Sequence, residues 1–351
     1  MTARNFFVPE NATIREALQV INSTDKLIAL VVDRDERLIG TVTDGDIRRG
    51  LINGLNLDDK VAQVCKRTPV TASINDSREE ILRKMRTYSV NQMLVVDEDG
   101  RVIRVDFADD QFLHSSTRNN IVVLMAGGLG MRLRPLTEDC PKPMLPLGGK
   151  PILRHIIDNF LNIGYHRFVI SVNYRREVIK DYFGNGAWLG CDIQYLEEDQ
   201  PLGTAGALSL LPSRPDKPFF VMNTDLLTTL NFVHLMDFHN EHTGAGTICV
   251  KEYCYEVPFG VIQTDNQRVT RLAEKPVHRF QINAGIYVLD PAALDMVPKN
   301  QLFHMTSLIQ QLLNNDHPVF SFPVVEEWLD VGRPSDLEKA QCDYASERKT
   351  A

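Results

Sequence analysis

Ile121-Val122-Val123-Leu124-Met125-Ala126-Gly127-Gly128-Leu129-Gly130-Met131-Arg132-Leu133-Arg134-Pro135-Leu136-Thr137, continuing as Glu138-Asp139-Cys140-Pro141-Lys142-Pro143-Met144, decides how this chain folds. Six apolar residues in a row predict a strand buried on both faces, as in the middle of a parallel sheet. Three glycines follow directly, so backbone amides can approach a polyphosphate closely. Arg132 and Lys142 then bring positive charge to the same loop. The spacing is neither the dinucleotide G-x-G-x-x-G nor the P-loop G-x-x-x-x-G-K-[ST]. It predicts a phosphate-binding loop of a different kind.

Downstream of this strand, helical and strand patterns alternate. Helices are expected at 151–163, 175–183, 205–211 and 232–240, and strands at 168–172, 193–196 and 219–222. Further strands are expected at 246–252, 260–263 and 286–289, and a closing helix at 334–345. Such alternation predicts an α/β fold, a doubly wound mixed sheet of the Rossmann-like kind with short antiparallel additions. Upstream lies an internal repeat at an offset of 64, with Leu30–Ile39 matching Leu94–Ile103. Each copy reads as helix, strand, acidic turn and strand, in a β-α-β-β-α unit. The expected organisation is a repeat pair over 1–113, a linker over 114–120, and an α/β domain over 121–351.

Composition narrows the function. The chain has 351 residues, 43% hydrophobic and 24% charged, with a net charge of −8. An acidic surface argues against nucleic acid as the main partner. No apolar run reaches the ~18 residues of a membrane span. Six cysteines are scattered with no C-x-x-C pair, and the polar start has no leader-like pattern. The expectation is a reduced, cytoplasmic protein.

The glycine loop with its Arg and Pro-Lys-Pro resembles that of the sugar-1-phosphate nucleotidyltransferases, also called nucleotide-sugar pyrophosphorylases. Five further stretches match in order: Pro201-Leu202-Gly203-Thr204-Ala205-Gly206, Val221-Met222-Asn223-Thr224-Asp225, Glu274-Lys275-Pro276, Ile282-Asn283-Ala284-Gly285-Ile286-Tyr287 and Trp328-Leu329-Asp330-Val331-Gly332. The resemblance implies transfer of a nucleoside monophosphate from an NTP to a sugar 1-phosphate, with release of pyrophosphate. It implies that Arg132, Lys142 and Asp225 act catalytically and that Asp225 and Asp330 hold Mg2+. Ala126, Gly127, Gly128, Gly130, Gly203, Thr204 and Ala205 would bind the nucleotide. Glu274, Lys275, Asn283 and Gly285 would bind the sugar phosphate. The 202–206 loop looks most like that of guanylyltransferases, so GTP is the favoured donor, with mannose 1-phosphate or glucosamine 1-phosphate as acceptor. Thr224 stands where the family more often has Gly.

Elementary chemistry agrees with these roles. Two anionic substrates repel each other, so the reaction needs charge neutralisation and in-line placement more than acid–base work. Magnesium needs one or two carboxylates besides phosphates and water. Simpler roles stand beside these. Asp225 suits a helix cap, Asp330 suits a turn, and Glu274 could pair with Arg271. His234, His239 and His242 read as packing or surface histidines, and Cys249 and Cys254 as buried packing.

The repeat pair resembles tandem cystathionine-β-synthase (CBS) modules, most closely at Ile39-Gly40-Thr41-Val42-Thr43-Asp44-Gly45-Asp46. That resemblance implies a regulatory purine nucleotide at Thr43 and Asp46. Those two residues equally suit a helix cap. The second copy keeps Asp110 but has Phe107 and Arg104 where the first has Thr43 and Gly40. Such modules imply a homo-oligomer. The alternative function is a nucleotide-sensing regulatory protein whose transferase-like domain is inactive.

Overall fold

The computed structural model describes residues 3–24, 28–88, 90, 92–107 and 118–350. The chain divides into two units, Met1–Ser116 and Thr117–Ala351.

In the first unit the repeat becomes two sheets of the same design. The first copy has β1 (Phe7–Pro9), α1 (Ile14–Thr24), β2 (Ile28–Val32), β3 (Leu38–Thr43) and α2 (Asp44–Ile52). The second has β4 (Thr71–Ser73), α3 (Arg78–Thr87), β5 (Gln92–Val96) and β6 (Val102–Phe107). The offset of 64 is kept in the hydrogen-bond register. Phe7 faces Leu30 and Thr71 faces Leu94 in the parallel pairs. The antiparallel pairs bulge at Val31/Val32 and again at Val95/Val96. The acidic turns do what their residues suit: Asp33 Oδ1 accepts from the N–H groups of Asp35 and Arg37, and Asp97 Oδ1 from Asp99 and Arg101. The copies share a core of Phe6, Leu30, Leu94 and Val102. The second copy's last helix, Asp110 and linker residues 114–117 lie outside the described residues.

At the start of α2 the structure shows the cap. The Thr43 hydroxyl accepts from the Asp46 N–H, and the Asp46 carboxylate accepts from the Thr43 N–H at 3.0 Å and from its hydroxyl at 2.7 Å. The other Asp46 oxygen pairs with Arg49 at 2.6 Å. This capping box accounts for both side chains.

The second unit comprises β7 (Val122–Met125), the short pair β8 (Pro146–Leu147) and β9 (Lys150–Pro151), α4 (Ile152–Asn162), β10 (Arg167–Val172) and α5 (Arg176–Phe183). It continues with β11 (Asp192–Glu197), α6 (Gly203–Gly206), β12 (Phe219–Asn223), β13 (Leu226–Thr228), α7 (Phe232–His242) and β14 (Gly246–Glu256). It ends with β15 (Val261–Asp265), β16 (Arg268–Ala273), β17 (Val277–Leu289), α8 (Met305–Asn314), β18 (Val319–Pro323), β19 (Trp328–Asp330) and α9 (Pro334–Thr350). Seven strands form one sheet in the order β11-β10-β7-β12-β17-β14-β18. The first four are parallel, and β17 runs antiparallel to both β12 and β14. The expected doubly wound mixed sheet is therefore present, with β7 in its interior. Two apolar clusters cover its faces, one built around Phe160 on α4 and one around Leu308 on α8.

Three local expectations change. Residues 205–211 do not form one helix. The Ala205 and Gly206 N–H groups both bond to the Phe303 carbonyl, and the chain tightens into a 3-10 turn at Ala207–Leu210. The strands expected at 246–252 and 286–289 are far longer, because Lys251–Glu256 pairs with Val277–Ile282 as a ribbon beyond the sheet. Its Tyr253, Tyr255, Val277, Phe280 and Ile282 are residue types that suit a strand. On that ribbon Cys254 is exposed rather than buried, whereas Cys249 is fully buried. Arg118 and Asn120, assigned to the linker, already belong to the α/β unit: Arg118 N–H bonds to Gly164 O at 3.0 Å, and Asn120 Nδ2 donates to Pro218 O at 2.7 Å.

Phe160 sits at the centre of the larger cluster. Its ring lies 3.9 Å from that of Phe232, 5.3 Å from Phe220 and 5.9 Å from Tyr165. Phe160→Ala is expected to cost about 3–5 kcal/mol of the α/β unit's stability. Urea unfolding of the full chain, followed by tryptophan fluorescence, measures this; a loss below about 1 kcal/mol would show that the cluster is not the anchor described.

Candidate active site

All four parallel strands end at the same edge, where ligands gather in open α/β sheets. A cleft of about 460 Å3 opens there, lined by the glycine loop, Arg132, Lys142, Glu198, Pro201, Gly203, Thr204, Asn223–Asp225, Leu302, His304 and Gly332. Sequence-distant residues meet there because β7, β12 and β10 release their chains side by side.

The glycine loop is shaped by its neighbours. Gly130 has φ 62°, and its carbonyl accepts from the Thr137 hydroxyl at 2.8 Å, which closes the loop on itself. A Cβ there would stand 3.1 Å from Thr137 Cγ2. A 3-10 turn at Lys142–Met144 then points Lys142 into the cleft. Its Nζ lies 2.6 Å from Asp225 Oδ2 and 3.8 Å from Asp330 Oδ1.

The two aspartates are brought together by a short antiparallel pair in which Leu226 of β13 faces Asp330 of β19. Val331 N–H bonds to Asp225 O at 2.9 Å, which fixes their spacing. Burial, and then the Asp225 charge, push the Asp330 carboxyl above its ordinary value, with Lys142 and Arg132 pulling the other way. Asp330 Oδ1 is buried with no hydrogen-bond partner. Gly332 leaves room beside it: a Cβ at 332 would lie 3.3 Å from Arg132 Nη1 and 3.4 Å from Asp330 Oδ1. Arg132, Lys142, Asp225 and Asp330 are thus one charged cluster. Thr224 does not disturb it, since its hydroxyl is tied to the Met125 carbonyl at 2.8 Å.

The 201–206 loop forms the opposite wall. Gly203 has φ 76°, and a Cβ there would meet Phe303 O at 2.7 Å. The Thr204 hydroxyl accepts from the Met305 N–H at 2.9 Å and so caps α8. The Leu302–His304 segment that completes this wall had no sequence signal, because its role comes from backbone bonding to residues a hundred positions earlier. Glu198 was also missed. It is a carboxylate only 6% exposed, lining the cleft immediately beside Gly127.

The residues expected at the sugar phosphate are not gathered at this cleft. Glu274 and Lys275 are exposed in the turn between β16 and β17, with Lys275 at φ 43°. Asn283 is engaged at both ends of its amide, with Gly285 N–H at 2.9 Å and the Tyr287 hydroxyl at 2.8 Å. Gly285, at φ 72°, lets β17 approach the Asp225 turn; a Cβ there would lie 2.9 Å from Asn223 Nδ2. His239 is a packing histidine, buried and bonded to the Thr247 hydroxyl at 2.9 Å. Among the described residues no group of three or more His, Cys, Asp and Glu is arranged for a metal, and no helix is long and apolar enough to cross a membrane.

Comparison with known proteins gives the family. The family model for nucleotidyl transferase matches residues 121–347, and that for the CBS domain matches 1–53 and 61–105. The mannose-1-phosphate guanyltransferase of Candida albicans is 35% identical over 237 residues, covering 63% of this chain and 64% of that protein. That of Saccharomyces cerevisiae is 35% identical over 234 residues, covering 61% and 62%. The chain thus spans less than two thirds of the length of these relatives. Among solved structures, HddC from Yersinia pseudotuberculosis is 26% identical with a TM-score of 0.51, covering 64% of this chain and 99% of that one. With a matched model running from the first strand of the sheet nearly to the end of α9, this chain belongs to the nucleotidyl transferase family and carries CBS domains ahead of its transferase unit.

Proposed function

We propose that the chain transfers GMP from GTP to mannose 1-phosphate, releasing pyrophosphate and forming a GDP-sugar. The observation that carries this is the convergence of Arg132, Lys142, Asp225 and Asp330 at one end of a nucleotide-sized cleft beside the glycine loop. The choice of base and sugar rests on the names of the relatives. Intact charges in this cluster favour the enzyme over an inactive nucleotide sensor.

In this reading the loop amides at Gly127, Gly128 and Gly130 hold the triphosphate. Arg132 lies against its charge and stabilises the departing pyrophosphate. Lys142 leaves the Asp225 carboxylate to hold the phosphate under attack, where its ammonium offsets charge as the bond to the sugar phosphate forms. The facing carboxylates, with the unpartnered Asp330 Oδ1, fit a divalent cation. Magnesium held by Asp225 and Asp330 would supply charge neutralisation for the phosphates.

Pyrophosphate release measured across the common triphosphates and a panel of sugar 1-phosphates tests the proposal. GTP with mannose 1-phosphate should be the best pair; no release with any pair would refute transfer. Lys142→Ala and Arg132→Ala should each lower kcat by about 100- to 1,000-fold, the size expected for one lost charge contact. Their melting curves should change little, and unchanged turnover would remove both residues from the site.

Asp330→Asn is expected to do two opposite things. Because burial and Asp225 hold the folded carboxyl above its unfolded value, ionising it at neutral pH opposes folding, and removing the charge relieves that cost. The variant should therefore melt higher than the parent without metal, and gain less from added magnesium. Scanning calorimetry with and without magnesium decides; a lower melting point in EDTA would contradict the charge reading.

A further inference from the structure

We infer that Tyr174 and Arg175 are positioning residues for Lys142, gripping the Glu138 carbonyl and so holding the loop that carries Arg132 and Lys142 against the sheet edge; this rests on the transfer reading above and gives its two cations their outer support. Gly130–Lys142 is a loop whose ends touch. The Thr137 hydroxyl donates to the Gly130 carbonyl at 2.8 Å, and a Cβ on residue 130 would lie 3.4 Å from Lys142 Cβ. Arg132 sits just inside one end, and Lys142 forms the other. Leu133 and Pro141 are buried, but Glu138 and Asp139 between them are exposed.

The loop supports that exposed stretch with one turn bond of its own, from Glu138 N–H to Pro135 O at 3.1 Å. Among the described residues, its other hydrogen bonds come from the two residues that follow Asn173 at the end of β10. Tyr174 Oη donates to Glu138 O at 2.7 Å. Arg175 Nη2 donates to the same carbonyl at 3.2 Å and to Asp139 Oδ1 at 2.8 Å. β10 pairs with β7, which delivers the glycine loop. The grip and the loop therefore stand on adjacent strands.

Arg175 holds its place against backbone strain. Its φ is 51°, in the left-handed region that glycine enters freely and a long side chain does not. Such a residue persists where its surroundings demand it. Helix capping does not demand it, since Arg175 precedes α5 with no side-chain bond to the helix amides. Charge attraction does not either. The side chains of Arg175 and Asp139 are 48% and 94% exposed, and an ion pair so open to water adds little stability. The guanidinium lies 5.9 Å from the Tyr174 ring centroid, so both side chains reach Glu138 together. Placement of the loop is the role left to them. Only Asp139, Cys140 and Pro141 separate Glu138 from Lys142. The Met144 N–H bonds to Pro141 O at 2.7 Å, so a shift at Glu138 passes through a buried proline to the turn that aims the Lys142 ammonium.

Steady-state kinetics on the full chain, with calorimetric GTP binding beside it, tests this. Y174F removes one donor and keeps the ring, and R175G removes the guanidinium and relieves the positive φ. Each should lower kcat about 10-fold and the two together about 100-fold, the scale on which small misplacement acts, with GTP affinity kept within about 3-fold. R175G should melt no lower than the parent, because glycine suits that φ and the lost pair is exposed. In K142A, adding Y174F should change turnover by less than about 2-fold, since a residue acting through Lys142 has nothing left to position. An equal loss in the K142A background, or full turnover in both single variants, overturns the proposal. So does a lower melting point for R175G with kcat unchanged, which would make Arg175 a prop of the fold. Hydrogen exchange judges the grip without turnover: in the double variant the amides of residues 138–145 should exchange about 10-fold faster while those of β10 and α5 hold. Equal exchange in parent and variant refutes the grip whatever the activity. Absence of pyrophosphate release from the parent, with exchange altered as expected, would instead count against the transfer reading.

Discussion

Two carboxylates held face to face in a half-buried site need a cation between them. Asp225 and Asp330 are in that position because β13 pairs with β19 and Val331 reaches back to the Asp225 carbonyl. The Lys142 ammonium meets the need, at 2.6 Å from one aspartate and 3.8 Å from the other. Much of the α/β unit serves this arrangement. β7 and β12 deliver the glycine loop and Asp225 to one edge. Gly285 removes a side chain so that β17 can back the Asp225 turn, and Gly332 makes room for Arg132. Self-repulsion of the carboxylates is offset in the fold by the lysine that they position.

A second constraint acts at the other end of the cleft. The 201–206 loop is not held by its own helical bonds. It hangs on the Phe303 carbonyl, on the Thr204 cap of α8 and on the Glu198 carboxylate. Tied to two separate segments, at 198 and at 303–305, the loop is held in place without being regular.

The fold was legible where local chemistry decides it. The apolar run 121–126 read as a buried strand and forms β7 over Val122–Met125, and the repeat carried its own register, down to bulges at equivalent positions. Arg132, Lys142, Asp225 and Asp330 were legible because the resemblance names them and the sheet edge gathers them. What escaped was set by tertiary bonding. Glu198 and the Leu302–His304 wall gain their meaning from contacts with Ser171, Leu202 and Ala205, which no periodicity reveals. Thr43 and Asp46, which suit a nucleotide contact and a helix cap alike, form the cap. Asn283 was legible as special, but its amide is spent on shaping the strand.

A charged cluster that moves a nucleotidyl group from a triphosphate to a sugar phosphate leaves its trace on the α-phosphorus. The most direct measurement follows the α-phosphorus of GTP labelled at that position, in the presence of magnesium and mannose 1-phosphate. All transferred label is expected in the GDP-sugar and none in pyrophosphate, with the label returning to GTP when pyrophosphate is added in excess. Label recovered as free GMP, or remaining wholly in GTP with every sugar 1-phosphate supplied, would contradict it.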